Sequence, residues 1–355
     1  MILAESFHPD WIHSHRERAG FEKINPPLVE KMIYALALVE SLAASGLDFV
    51  FKGGTSLVLL IPQAGRFSID IDIITQADKK EIESILNTIC TSSPFLSFKL
   101  NEQRSYKPGI PKAHYSLFYQ SGLTGKEDHI LLDVLLDTHS YSSLLEKPIT
   151  GQWIRTDEKL IPVKIPTHES ITGDKLTAFA PNTTGIPYNK GKELEIVKQL
   201  FDLGRLFHEI KIMEEVGASF DKTVVKEITY REGKYSRDDV LDDIIQTGLL
   251  IARREKNKEE PHASNFREIQ RGLLQFKPYQ MTSFFRIDEA IVSSAKAAYI
   301  AVTIKAGAGG NLEIYQPEYN KQDFLIQHTE YNFLNKLQAE PLFYWSKAIE
   351  IIKAF

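Results

Sequence analysis

Phe49-Val-Phe-Lys-Gly-Gly-Thr-Ser-Leu57 and, after a short gap, Arg66-Phe-Ser-Ile-Asp-Ile-Asp-Ile-Ile-Thr75 decide how this chain is read. An apolar run at 49–51 feeds the pair Gly53-Gly54; a short helix and a Pro62/Gly65 turn lead to a second strand with strict alternation. In that strand Phe67, Ile69, Ile71 and Ile73 take one face, while Ser68, Asp70 and Asp72 take the other. Two carboxylates side by side on a rigid strand repel each other unless a cation lies between them. Hard oxygen ligands of this kind suit Mg²⁺, with Mn²⁺ as the alternative. A glycine pair where a strand meets a helix leaves room for a phosphate against backbone N–H groups. Thr55 and Ser56 can add hydroxyl contacts to the same oxygens. Singly, Gly-Gly is an ordinary turn and Asp-x-Asp a solvated strand face. Together, on the ends of adjoining strands, they predict a metal-and-phosphate site.

The 355 residues are 43% hydrophobic and 25% charged, ordinary globular material long enough for two or three domains. A single cysteine, Cys90, excludes an intramolecular disulfide and a cysteine-based zinc site, and it fits a reducing compartment. It falls in a helical pattern and reads as a small core residue. No stretch approaches the roughly 18 apolar residues of a membrane helix, and the N-terminus lacks a basic-then-apolar leader. The expectation is a cytoplasmic protein with no membrane partner. A net charge of −5 does not advertise nucleic-acid binding, so an RNA substrate would be met by a local basic patch.

Gly-Gly-Thr-Ser-Leu followed by Arg-Phe-Ser-Ile-Asp-Ile-Asp resembles the nucleotidyltransferase superfamily, and specifically the AbiEii/AbiGii toxin family with its MenT relatives. The Thr-x-Leu and the Arg-x-Ser before the first Asp narrow the match, which covers about residues 45 to 210. The resemblance implies an α+β fold. A nucleotidyltransferase-type mixed sheet flanked by helices would occupy 1–166. A mainly α-helical region over 167–355 would contribute Lys175 and Asp202 to the cleft, facing the Asp70/Asp72 strand. It implies nucleotide and phosphate contacts from Gly53, Gly54, Thr55, Ser56, Arg66, Ser68 and Lys198. Ser68 also matches a family serine that an antitoxin can phosphorylate; its plain reading is a small polar residue tolerated beside the metal.

Elsewhere, residues 1–25 are polar and mixed, a docking arm or short helix. Pro26-Pro27 opens a helix with Leu28, Met32, Leu36 and Val39 on one stripe; Gly46 closes it, and it should pack on the back of the sheet. A helix over 78–93 stops at Pro94. Three β-like runs follow, 95–100, 113–119 and 129–137, with Pro108-Gly109, Gly122 and Gly125 between them. They predict continuous antiparallel extension of the sheet.

Asp133 interrupts the last of these runs, where an isolated carboxylate is costly unless a cation compensates it. In nucleotidyltransferases a third acid from a neighbouring strand joins the Asp pair as metal ligand or general base, and Asp133 takes that place here. Asp137 reads equally well as a loop-facing carboxylate. A further strand over 160–165 precedes a helix ending at Pro181. Its Lys175 alone would be a solvated lysine; within Asp-Lys-Leu-x-Ala it resembles the family lysine that contacts nucleotide phosphates. Residues 182–191 form a polar loop that could lie over an active site. On the next helix Lys198, Asp202 and Arg205 read either as an ordinary ion-pair face or, by resemblance, as the motif whose Asp orients Lys175 or the metal site. The remainder is mainly helical: an imperfect capping box opens at Ser236, the basic run Arg253–Lys258 is a solvated helix end, and Gly307–Gly310 is a loop.

The expectation is a Mg²⁺-dependent nucleotidyltransferase, with Asp70, Asp72 and Asp133 as metal ligands and Asp133 also activating the acceptor hydroxyl. Lys175 would stabilise charge on the leaving pyrophosphate. Family resemblance implies a toxin of a bacterial type IV toxin–antitoxin or phage-defence system, an NTP substrate, a cognate antitoxin and, from the MenT relatives, the 3′ end of tRNA as acceptor. Two alternatives stay open: transfer to a protein or small-molecule hydroxyl, and a nucleotide-binding regulatory module without turnover.

Overall fold

A helix buried on nearly every side, α2, organises the first half of the chain. The computed structural model describes all residues except 19, 62, 63, 93, 106–109, 257, 282, 283 and 355. They form two compact units: Met1–His139 with Leu144–Thr167 and Pro278–Ser283, and Ser140–Ser143 with His168–Lys277 and Phe284–Phe355.

The first unit runs α1 (Pro9–Ser14), α2 (Pro26–Ala44), β1 (Val50–Lys52), α3 (Gly53–Leu60), β2 (Ile71–Ile74), α4 (Lys79–Ser92), β3 (Phe95–Leu100), α5 (Glu102–Ser105), β4 (Lys112–Gln120), β5 (Glu127–Leu135), β6 (Leu144–Pro148) and β7 (Pro162–Pro166). The seven strands form one mixed sheet in the order β3-β4-β5-β2-β1-β7-β6. α2 starts on two prolines at positions whose N–H groups would be unpaired in any helix. The chain turns after it through Gly46 at φ +82°. It lies against β5, β7 and α4, which explains why Met32, Ile33, Leu36, Leu38 and Val39 are all buried where the sequence suggests a single stripe.

Two buried carboxylates on α2 are satisfied by donors from distant segments. Glu30 accepts from the Ser121 hydroxyl at 2.8 Å and the Gly122 N–H at 2.7 Å, fastening the β4–β5 turn. Glu40 accepts from the Ile2 N–H at 2.9 Å, and burial raises its pKa. The N-terminal arm is therefore part of this core. Ile12 and His15 are fully buried, the Trp11 indole donates to the Trp153 carbonyl at 3.0 Å, and the His15 ring sits between Trp11 and Trp153 at 4.9 and 5.0 Å.

Three strand expectations are corrected and one strand is added. The β3-β4-β5 meander is antiparallel, but it joins the rest through a parallel pairing of β5 with β2, so the extension is not continuously antiparallel. The second strand is ladder only over Ile71–Ile74. Before it, the Phe67 N–H donates to the Tyr279 carbonyl at 2.7 Å and the Asp70 carbonyl accepts from Thr55, so those groups are already engaged away from β1. An edge strand, β6, pairs antiparallel with β7 where the sequence gives no strand signal. β5 also alternates: Ile130, Leu132 and Val134 are buried, whereas Leu131, Asp133 and Leu135 are half-exposed, so Asp133 does not interrupt a wholly buried strand.

The second unit is helical: α6 (His168–Ala178), α7 (Glu193–Leu206), α8 (Met213–Thr229), α9 (Arg237–Arg253), α10 (His262–Phe276), α11 (Ile287–Lys305) and α12 (Ala339–Ala354). α11 is central, packed on α7, α9 and α12. At Ser236 the capping box is complete, with the Asp239 carboxylate accepting the Ser236 N–H at 2.8 Å. The loop after α6 is fastened down at both ends. Asp243 accepts the Asn182 N–H at 2.8 Å and the Thr183 hydroxyl at 2.9 Å, and Glu268 accepts the Asn189 N–H at 2.9 Å. No described helix is long and apolar enough to cross a membrane.

Candidate active site

Antiparallel pairing of β1 with β2 puts Lys52 opposite Asp72, and parallel pairing of β2 with β5 puts Asp72 opposite Asp133. Two of the three candidate carboxylates therefore stand on adjacent strands at the same level, both partly open to solvent. Asp70 lies one residue before β2, half-buried. Asp137 lies beyond the end of β5, where its carboxylate accepts the Thr138 N–H at 2.7 Å.

The glycine pair is built into this level of the sheet. Gly53 has φ +76°, and a Cβ there would come within 2.2 Å of Asp72 Oδ2, so only glycine lets that carboxylate lie against the turn. A Cβ on Gly54 would meet the Arg66 Nη2 at 2.4 Å and the Ser68 hydroxyl at 2.8 Å. Arg66 is 4% exposed, and one of its nitrogens donates to the Phe67 carbonyl at 3.1 Å. α3 begins at Gly53 with no side-chain cap, leaving its first-turn N–H groups beside a buried guanidinium.

Thr55 and Ser56 are fully buried. Thr55 Oγ1 lies 2.9 Å from Ser68 Oγ and 2.6 Å from the Asp70 carbonyl, and the Ser56 hydroxyl donates to the Gly53 carbonyl at 2.9 Å. In this arrangement both hydroxyls hold the turn and the Asp70 backbone in place.

In the helical unit, Lys175 and Asp202 come together as a buried ion pair, 4% and 2% exposed, with Nζ 2.6 Å from Oδ2. Lys175 also donates to Gln199 Oε1 at 3.2 Å. Lys198 Nζ reaches Glu195 Oε1 at 3.0 Å, and Arg205 is exposed. Lys175 is thus no solvated lysine. Its charge is kept in a low-dielectric setting, which requires a partner such as Asp202.

The carboxylates suit a hard divalent cation in donor type and strand register. Among the described residues no three His, Cys, Asp or Glu side chains are gathered into a metal cage, so the fit lies in chemistry and level on the sheet. One neighbour escapes the sequence reading: His114 on β4 stands opposite Asp133, with Nδ1 2.5 Å from Oδ1. The signal was countable. If Gln120 pairs with Glu127 across the 121–126 turn, stepping back six residues on each strand brings 114 to 133.

A candidate nucleotidyltransferase from H. pylori is 16% identical over 78% of this chain and 92% of its own, with a TM-score of 0.44. JHP933 from Helicobacter pylori is 14% identical over 79% and 93%, also at 0.44. No curated protein matches. The family model for the nucleotidyl transferase AbiEii toxin of type IV toxin–antitoxin systems matches residues 36–287, which include the glycine turn, all three carboxylates and the Lys175–Asp202 pair. The chain belongs to the AbiEii nucleotidyltransferase toxin family.

Proposed function

We propose that the chain transfers a nucleotide from an NTP to an acceptor hydroxyl in a Mg²⁺-dependent reaction, the 3′ end of tRNA being the acceptor tested first. The observation carrying this reading is the level shared by Asp72, Asp133 and the Gly53-Gly54 turn with Arg66 behind it. Asp70, Asp72 and Asp133 would hold Mg²⁺, which supplies charge neutralisation at the transferring phosphoryl group. The backbone N–H groups at the start of α3 and the Arg66 guanidinium bind the remaining phosphate oxygens. Thr55, Ser56 and Ser68 keep that turn in shape. Asp133 also accepts the proton of the attacking hydroxyl. Lys175, held by Asp202, is assigned to phosphate charge, and Lys198 to the nucleotide. Family membership supports an NTP substrate and a partner antitoxin within a toxin–antitoxin or phage-defence setting.

The test incubates the protein with each α-labelled NTP and total RNA. A labelled band of tRNA size is expected, reduced at least about 100-fold by Asp72→Asn at unchanged melting temperature. Wild-type turnover in purified Asp72→Asn protein refutes the assignment. Label migrating with protein or with a small molecule replaces tRNA as acceptor, and nucleotide binding without label transfer makes the chain a regulatory module.

A further inference from the structure

Asp133 is held by a residue to which no role has yet been given. On the half-exposed face of β4, Lys112, His114 and Ser116 stand opposite Leu135, Asp133 and Leu131, so of these three His114 faces a carboxylate. Its Nδ1 lies 2.5 Å from Asp133 Oδ1. The imidazole is 12% exposed, and its Nε2 is buried with no hydrogen-bond partner among the described residues. A proton on Nε2 would be a buried donor with nothing to receive it, whereas a proton on Nδ1 meets a carboxylate. The ring is therefore an Nδ1–H donor to Asp133.

We propose that His114 is a positioning residue for the third carboxylate: it fixes the orientation of Asp133 beside Asp72 and so sets the affinity of the pair for a divalent cation. The inference rests on reading these aspartates as a metal site. The physical basis is general. A carboxylate ligand free to rotate loses entropy each time it engages a metal, and a donor that locks its rotamer removes that cost beforehand. Strand geometry makes the lock stiff, because directly opposed residues on antiparallel strands have Cβ atoms only about 5 Å apart. A slip of either strand would carry the two side chains to opposite faces together with their neighbours.

The test titrates Mn²⁺ alone into the full-length protein, following free Mn²⁺ by electron paramagnetic resonance, and measures kcat and KM for NTP in parallel. Asp133→Asn and His114→Ala are each expected to weaken Mn²⁺ binding about 10- to 100-fold. They should lower kcat with little change in the KM for NTP. His114→Asn, whose amide N–H occupies the place of Nδ1–H, should restore binding to within roughly three-fold of wild type, and His114→Gln, whose amide lies one carbon further out, should not. If His114→Ala does not fold, the Asn and Gln variants decide the matter alone. Wild-type Mn²⁺ affinity in His114→Ala with a loss in Asp133→Asn overturns the role of His114 and leaves the metal site standing. An unaffected Asp133→Asn overturns the metal reading and this inference with it. Equal impairment of the Asn and Gln variants shows the ring to be structural and likewise overturns it.

Discussion

Gly53 and Gly54 show how much one hydrogen in place of a methyl group decides. Gly53 sits at φ +76° with Asp72 against its α-carbon, so Gly53→Ala meets both backbone strain and a clash of the new methyl with a carboxylate oxygen 2.2 Å away. The strain alone costs about 1–2 kcal/mol, and relieving the clash moves Asp72. Gly53→Ala is expected to lower the melting temperature modestly and to abolish nucleotide transfer, read by the NTP-labelling assay; retained transfer would mean that Asp72 does not need its place against the turn. The Lys175–Asp202 pair behaves differently. Removing one partner leaves an uncompensated buried charge, so Lys175→Met or Asp202→Leu should each cost about 3–5 kcal/mol. The double variant should recover most of that loss in urea melts without recovering activity, which separates the pair's structural role from its chemical one. The Gly-Gly and Asp-x-Asp residues were legible in the sequence because their spacing is local. The burial of Lys175 was not, since a lone lysine in a helix carries no sign of the apolar helices packed around it.

At the scale of elements, the long helices and the hairpin strands were legible through periodicity and turn residues. Pairing was not. β5 lies parallel to β2 because the meander returns to the sheet beside β2, a choice that no local pattern encodes. β6 hides behind Pro148 and a Glu-Lys pair that suit an edge strand but read as loop. The N-terminal arm was also underestimated, because its apolar residues are spread among charges and find their partner only at Trp153. That arm carries a pH signature. His15 is held well below its ordinary 6.5, at about 4, first by burial and then by the nearby Arg18 charge. The unfolded chain therefore binds a proton that the folded chain refuses. Stability is fully present above about pH 6.5 and falls as the pH drops towards 4, with a slope of up to about 1.4 kcal/mol per pH unit. His15→Phe should flatten that slope between pH 6.5 and 4.5 in chemical denaturation; an unchanged slope would show that His15 already takes up its proton in the folded state.

At the scale of the molecule, sequence distance and structural membership diverge. Pro278–Ser283 follow α10 of the helical unit in the chain but belong to the sheet unit. There Gln280 bridges Arg66, and the Met281 N–H donates to the Gly65 carbonyl at 3.0 Å. Met281→Pro removes that donor some 210 residues from the Asp-x-Asp stretch. It should cost about 1–3 kcal/mol and raise the KM for NTP by loosening Arg66; a KM equal to wild type would show that Arg66 keeps its place without the ribbon. No sequence pattern announces this ribbon, because residues 278–281 form an isolated bridge, too short to alternate.

The same ribbon bears on how such a protein can change over generations. A gene cut after residue 167 would encode the strands and all three carboxylates but not the segment that flanks Arg66. The sheet unit cannot be passed on as a cassette and fused to a new helical partner unless that partner brings its own version of 278–281. The two halves are therefore expected to be inherited together, and new acceptor specificities in such chains to arise mainly by substitution within one continuous gene.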